Sequence, residues 1–141
     1  MKNAINLSNT VLPLVARLLL ASLFLISGIG KLSAPAATIG YITAMGLPFP
    51  TLGYVIALIV ELGGGLLLVF GFQTRLTALA LALFSIVTGL VFHSAVGDQN
   101  QMIHLLKNIS IAGGLLQVVA FGAGAFSLDA RKPVTGAARI A

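Results

Sequence analysis

Charge is scarce in this sequence: 8% of its 141 residues are ionisable Asp, Glu, Lys or Arg, and three of these are acids. A water-soluble domain carries about 25%, so the chain has too little polar surface to face water on all sides. Cysteine is absent. That excludes thiol–disulfide chemistry, cysteine-ligated zinc and cysteine-ligated iron–sulfur clusters, and it leaves the redox compartment open. No G-x-S-x-G, P-loop or HExxH pattern occurs, so the usual soluble-type catalytic signatures are missing. A net charge of +5 would suit a nucleic-acid binder, but Arg131-Lys132 is the one adjacent pair of cations. A nucleic-acid partner requires such residues gathered on one face. That class is set aside.

What is present is long apolar runs. Hydrophobic residues make up 58% of the chain, and the mean hydropathy is +1.08. A bilayer core needs about 20 apolar residues in helix. Four stretches meet this: 11–29, 52–72, 76–92 and 102–121. They predict an all-α integral membrane four-helix bundle, a single domain over 1–141 with a tail at 125–141. Pro48 and Pro50 stand at the start of the second run, where proline is tolerated. The link "GFQTR" (71–75) is short enough to make spans two and three antiparallel neighbours. Ala34-Pro35-Ala36 resembles a signal-peptidase site, yet the apolar stretch before it exceeds an ordinary signal core and carries Arg17, so it is read as a true span.

An even number of spans puts both termini on one side. Lys2, Arg75, Arg131, Lys132 and Arg139 would share that side, which the positive-inside rule places in the cytoplasm. Loops 31–50 and 93–101 then face outward. In the first, Ser33 can cap a short helix with Pro35 in its first turn, with Ile39, Ile42 and Met45 at helical spacing. This piece either lies at the interface with Tyr41 near the headgroups or packs over the outer end of the bundle.

The segment "LIVELGGGLLLVFGF" (58–72) holds a single carboxylate, Glu61, among apolar side chains and glycines. An ionised group at that depth costs at least about 2.5–3.5 kcal/mol and must face a partner inside the bundle. Counting residues from the cytoplasmic ends puts Arg17 about 9 Å deep and Glu61 about 16 Å deep. An Arg17–Glu61 pair with Gln117 beside it is the predicted arrangement, and its role is either structural or functional. The glycines at 63–65 would let a neighbouring helix come close.

A second polar group gathers at the outward end: Lys31, His93, His104, Lys107 and Asn108. Arg17, Ala21, Phe24, Gly28 and Lys31 form one helical stripe. Lys107, Ser110, Gly114 and Gln117 form another on span four, Ser85 and Thr88 lie on span three, and Tyr54 shares a face with Glu61. Together they predict a polar seam down the bundle, suited to an anionic or quinone-like ligand. Lys31, Tyr54, Glu61, His93, His104, Lys107 and Asn108 are its ligand-binding candidates, and Glu61 and His93 the candidate proton carriers. The bland alternatives are lysines that snorkel to the headgroups and histidines that are hydrogen-bonded loop residues. Two histidines fall short of a zinc site, so no metal and no covalently bound cofactor is expected. Arg75 and Asp129 both fall on the cytoplasmic rim, where they can tie the two ends together. "GAGAFSLD" (122–129) contains G-x-G but follows a helix rather than a strand, which removes the dinucleotide reading. The sequon "NIS" (108–110) lies inside a span.

The pieces "ARLLLASLFLISGIGKL" (Arg17, Gly28, Lys31), "VELGGGLLLVFGFQTR" (Glu61, Gly71, Arg75), "VFH" (His93), "LLKNISIAGG" (Lys107, Asn108) and "GAGAFSLDAR" (Gly122, Gly124, Ser127, Asp129) occur in this order and spacing. Together they resemble the DoxX family of small four-span membrane proteins, over roughly residues 16–131. The resemblance implies a multi-pass protein of the bacterial or archaeal cytoplasmic membrane. It also implies links to quinol oxidase, to quinone-coupled sulfur oxidation, to membrane oxidoreductase complexes and to the handling of aromatic compounds. The expected function is a quinone-linked or aromatic-handling oxidoreductase component, with quinone as its ligand and a partner subunit supplying electrons. The alternatives are a non-enzymatic scaffold of a larger complex and a small-molecule permease, which at this size would need a homo-oligomer.

Overall fold

The computed structural model describes residues 7–131, and everything below concerns these. Lys2, Lys132 and Arg139, and the tail beyond Arg131, lie outside the described residues. Five helices are present: α1 (Leu12–Ser33), α2 (Pro35–Ala44), α3 (Pro50–Phe70), α4 (Thr74–Phe92) and α5 (Gln99–Phe121). A π-helical turn, Leu7–Val11, leads into α1, and a second, Ile59–Gly63, interrupts α3. A 3-10 turn, Asp129–Arg131, ends the described chain. No strand occurs among the described residues.

Helices α1, α3, α4 and α5 are each long and apolar enough to cross a membrane. They match the four predicted runs, with ends moved by a few residues. Their outward faces carry the residues expected against acyl chains: Leu19, Ile26 and Phe121 are 68%, 71% and 80% exposed. In a bilayer this exposure is to lipid, and it needs no polar cover.

The ends of the helices are set by local chemistry. Pro50 opens α3 behind Phe49, which takes a left-handed conformation. Gly71, at φ +65°, closes α3: its N–H bonds Leu68 O and that of Phe72 bonds Leu67 O. This paired pattern is a Schellman C-cap, and the left-handed turn favours glycine. Asp98 caps α5 by accepting from Gln101 N at 2.9 Å. α4 has no cap of its own; its first N–H groups bond a residue far along the chain, described below.

α4 and α5 pack most extensively, α1 lies along α3, and α1 touches α5 at few points. The shared core is Ala21, Phe24, Leu68, Ala78, Leu81, Ala82, Ala112, Leu115 and Val118. Alanine is prominent here because, in lipid, helices associate by close backbone approach rather than by hydrophobic exclusion. Four helical glycines mark close crossings, among them Gly64 and Gly65 of the predicted 63–65 run, where a Cβ would stand 2.9 Å from Leu81 and 2.8 Å from Leu25. A Cβ on Gly28 would stand 2.7 Å from Leu62, and one on Gly89 2.9 Å from Asn108.

α2 packs over the bundle's Lys31 end. Ile42 is buried and the Tyr41 ring stacks on Phe92 at 5.5 Å. Tyr41 keeps half its surface exposed, and the segment thus packs over the bundle through one face. Ser33 does not cap it; its hydroxyl bonds back to Gly30 O inside α1.

Candidate functional site

The buried carboxylate has a partner, but not the predicted one. Glu61 pairs with Lys31, whose Nζ lies 2.9 Å from both carboxylate oxygens. Ser27 completes the group, accepting from Lys31 Nζ at 2.7 Å and donating to Glu61 Oε1 at 3.2 Å. Glu61 is 5% exposed and sits in the π turn of α3, a local widening of the helix that recurs at functional sites. Ser27 was not among the sequence candidates, although its i, i+4 spacing to Lys31 was the available signal.

The Arg17–Glu61 pair does not form, for a reason of direction. Helical side chains lean toward the N-terminus of their own helix. α1 and α3 run in opposite senses, so Arg17 leans toward the start of α1 while Glu61 leans toward the start of α3, at the other end of the bundle. Lys31 leans back inward, onto Ser27 and Glu61. Depth counting alone ignored this tilt and joined the wrong cation to the acid.

Arg17 has other work. Fully buried, it donates from Nη1 to Leu68 O at 2.7 Å and Val69 O at 3.2 Å, and from Nη2 to Phe126 O. It therefore serves carbonyls at the end of α3 and one in the segment after α5. That segment is no free tail up to Arg131. Leu128 N and Asp129 N bond Phe70 O and Gly71 O, and both Asp129 oxygens accept, at 2.8 Å, from Gln73 N and Thr74 N. Asp129 is thus the remote cap of α4, tying the rim together through backbone groups. Arg75 lies across Gly122, 3.5 Å from where a Cβ would sit; Arg75 and Asp129 share the wall of a rim cavity of about 610 Å³.

Gln117 is not beside this network: it is exposed on the outer face of α5, near Leu12 and Ala16. The predicted stripe on span four also turns outward. Lys107, Ser110 and Gln117 are exposed, while Ala112, Leu115 and Val118 take the inner face. On α1 the predicted stripe is the buried one, Arg17, Ala21, Phe24 and Gly28. The seam is therefore two separate polar sites with an apolar core between them.

At the Lys31 end two adjoining cavities share Ser27, Glu61, Phe84, Thr88, His93 and Asn108 as walls. The larger, about 440 Å³, lies between α1, α3 and α4 beneath α2, with Tyr41, Ile42, Val91 and Phe92 around it. The smaller, about 340 Å³, lies where α1 and α5 diverge and adds His104 and Lys107. His93 and His104 stack at 4.9 Å, and His93 Nδ1 lies 2.8 Å from Gln101 Oε1. Of the predicted ligand residues, six line this chamber. Tyr54 does not; buried, it donates to Lys31 O at 3.3 Å and so steadies the lysine's backbone. No cluster of three or more metal-ligating side chains occurs among the described residues.

The family model described as DoxX matches residues 12–94, which spans α1 to the end of α4 and includes Lys31, Glu61 and His93. The chain belongs to the DoxX family. It is similar to inner membrane protein YqjF of Escherichia coli (strain K12), 42% identical over 118 residues, covering 82% of this chain and 88% of that protein. It is also similar to inner membrane protein YphA of the same organism, 36% identical over 128 residues, covering 86% of this chain and 90% of that protein. No solved structure matches the chain. As a DoxX protein with four spanning helices, it resides in the inner membrane and contacts the bilayer along α1, α3, α4 and α5.

Proposed function

We propose that this DoxX protein is a ligand-holding component of an inner-membrane oxidoreductase, binding a quinone or related flat aromatic in the chamber beside Lys31 and Glu61. The observation that carries the reading is the chamber's make-up. Apolar and aromatic walls of about 440 Å³ surround a few convergent polar groups, the usual character of a small-molecule site. Tyr41, Phe84 and Phe92 offer ring faces, the second amide N–H of Asn108 offers a hydrogen bond to a ring oxygen, and His93, whose Nδ1 faces Gln101 Oε1, offers Nε2 as an acceptor. The fit differs in one respect from the sequence expectation. Lys31 already has three acceptors around its ammonium group, so a ligand carbonyl must find its donors elsewhere in the chamber.

In this reading the protein holds and orients the ligand, Glu61 and His93 exchange protons with it, and electrons come from a partner subunit. The termini lie in the cytoplasm and the chamber faces the periplasmic half of the bilayer.

The test is titration of a short-chain 1,4-benzoquinone into the purified protein, read by tyrosine fluorescence, since the chain has two tyrosines and no tryptophan. Saturable quenching is expected. Glu61→Gln should weaken it about tenfold, because it leaves the Lys31 ammonium on the chamber wall without its counter-charge. Quenching that never saturates, or that Glu61→Gln and His93→Ala leave untouched in folded protein, would overturn the reading and leave the scaffold role in its place.

A further inference from the structure

The hydrogen-bonding capacity of the chamber is unevenly spent. The Lys31–Glu61–Ser27 group is satisfied within itself and carries no net charge. His93 has committed Nδ1 to Gln101, which leaves Nε2 for another partner. Asn108 has committed one N–H of its amide to His104 O, leaving the second N–H and its oxygen. The ring nitrogens of His104 and the ammonium of Lys107 hydrogen-bond nothing among the described residues. Lys107 is therefore the one uncompensated full charge on the chamber wall, and it stands at the opening between α1 and α5.

On the α1 side this cavity is bordered by the apolar Leu23 and Ile26 together with Ser27, and Phe24 is buried behind them. Leu23 and Ile26 are 42% and 71% exposed, so this mouth faces acyl chains rather than water. A cation beside such a mouth attracts an anionic oxygen strongly, because little solvent competes for it. A neutral quinone gains far less there, since its carbonyl carries no charge to pair with the ammonium.

We infer that the ligand is a weakly acidic aromatic, such as a hydroxyquinone or phenol, which enters sideways between α1 and α5 and sets its ionised oxygen on Lys107. The His104 ring, stacked on His93, and the second Asn108 amide N–H donate to the remaining ring oxygens, and the ring body reaches inward past Phe84 toward Glu61. Lys107 is then the residue that selects ligand class, while Lys31 keeps Glu61 in place. This rests on the aromatic-binding reading above and adds the charge of the ligand and its contact.

The test compares 2-hydroxy-1,4-naphthoquinone with its neutral parent 1,4-naphthoquinone on wild type and Lys107→Gln, both purified and checked for unchanged melting. Wild type should bind the hydroxylated compound at least tenfold more tightly at pH 7. Lys107→Gln should remove that preference, and Lys107→Arg should restore it. If both compounds bind wild type equally, or Lys107→Gln leaves the preference intact, the inference fails while the aromatic-binding reading stands. If neither compound binds saturably, both fail. A Lys107 that only reaches for lipid headgroups would give the intact-preference result.

Discussion

Glu61 and Lys31 are each expensive in a membrane helix, and their bonds to one another and to Ser27 are what make either tolerable. The asymmetry of such pairs decides what substitutions do. Removing one partner leaves an unmatched charge in a low-dielectric site, whereas removing both leaves a hole that apolar groups can fill. Lys31→Met is therefore expected to destabilise the bundle by about 3–5 kcal/mol, read as loss of melting temperature in detergent. The double variant Lys31→Met/Glu61→Leu should recover most of it. A double variant no more stable than Lys31→Met would show that Glu61 is held by something other than the lysine. The residue types were legible in the sequence, and so was the stripe that buries Arg17, Ala21, Phe24 and Gly28. The pairing was not, because residue counting gives depth along a helix and says nothing of side-chain lean. Arg17 and Lys31 are fourteen residues, about 21 Å, apart along α1, so choosing the wrong one moved the acid's partner to the opposite end of the molecule.

Among the elements, the four spans were readable because apolar length is a strong signal, and the start of α3 because Pro50 carries a known start-of-helix role. Gly71 and Asp98 also carry end-of-helix signals, but the predicted ends did not use them and differ by a few residues. Two features had no such signal. The π turn at Ile59–Gly63 is a change of hydrogen-bond register that no residue type announces. The start of α4 is capped by Asp129, 55 residues past Thr74, so no local capping pattern exists to be read. Asp129→Ala should cost about 1–2 kcal/mol, through lost capping of α4 and its favourable charge at a helix N-terminus. Hydrogen exchange should then rise first at Gln73 and Thr74; exchange unchanged there would mean the cap contributes nothing. Glycines give a sharper contrast. At Gly71 a Cβ would meet Arg17 Nη1 and the Ser127 side chain in a left-handed turn, whereas at Gly113, mid-helix in α5, it would meet nothing within 4 Å. Gly71→Ala is expected to destabilise by about 1–3 kcal/mol, and Gly113→Ala to stabilise by about 0.5–1 kcal/mol. Equal melting shifts would contradict the close approach of Arg17 to the turn.

For the whole molecule, the two polar sites divide the labour. At one end, Arg17, Asp129 and the segment after α5 bind the end of α3 to the start of α4. That end is pinned by backbone carbonyls and N–H groups held by Arg17 and Asp129, although a rim cavity remains beside it and Arg17 Nε and Thr74 Oγ1 are buried without a partner. At the other, α1 and α5 diverge, α2 lies over the gap between α3 and α4, and the charged trio borders a chamber. A bundle pinned at one end and open at the other can admit a ligand without unpacking its core. This asymmetry has functional meaning only if the two ends face fixed sides of the membrane. The surplus of Arg and Lys near the pinned end favours the cytoplasm for it. Because the chain has no cysteine, single cysteines report on this cleanly. Gly97→Cys, in the exposed turn between α4 and α5, should react with a membrane-impermeant maleimide in spheroplasts. Ala130→Cys, at the pinned end, should react only after the membrane is broken. The reverse pattern would turn the chamber toward the cytoplasm, and with it the side from which any partner subunit must exchange protons with Glu61.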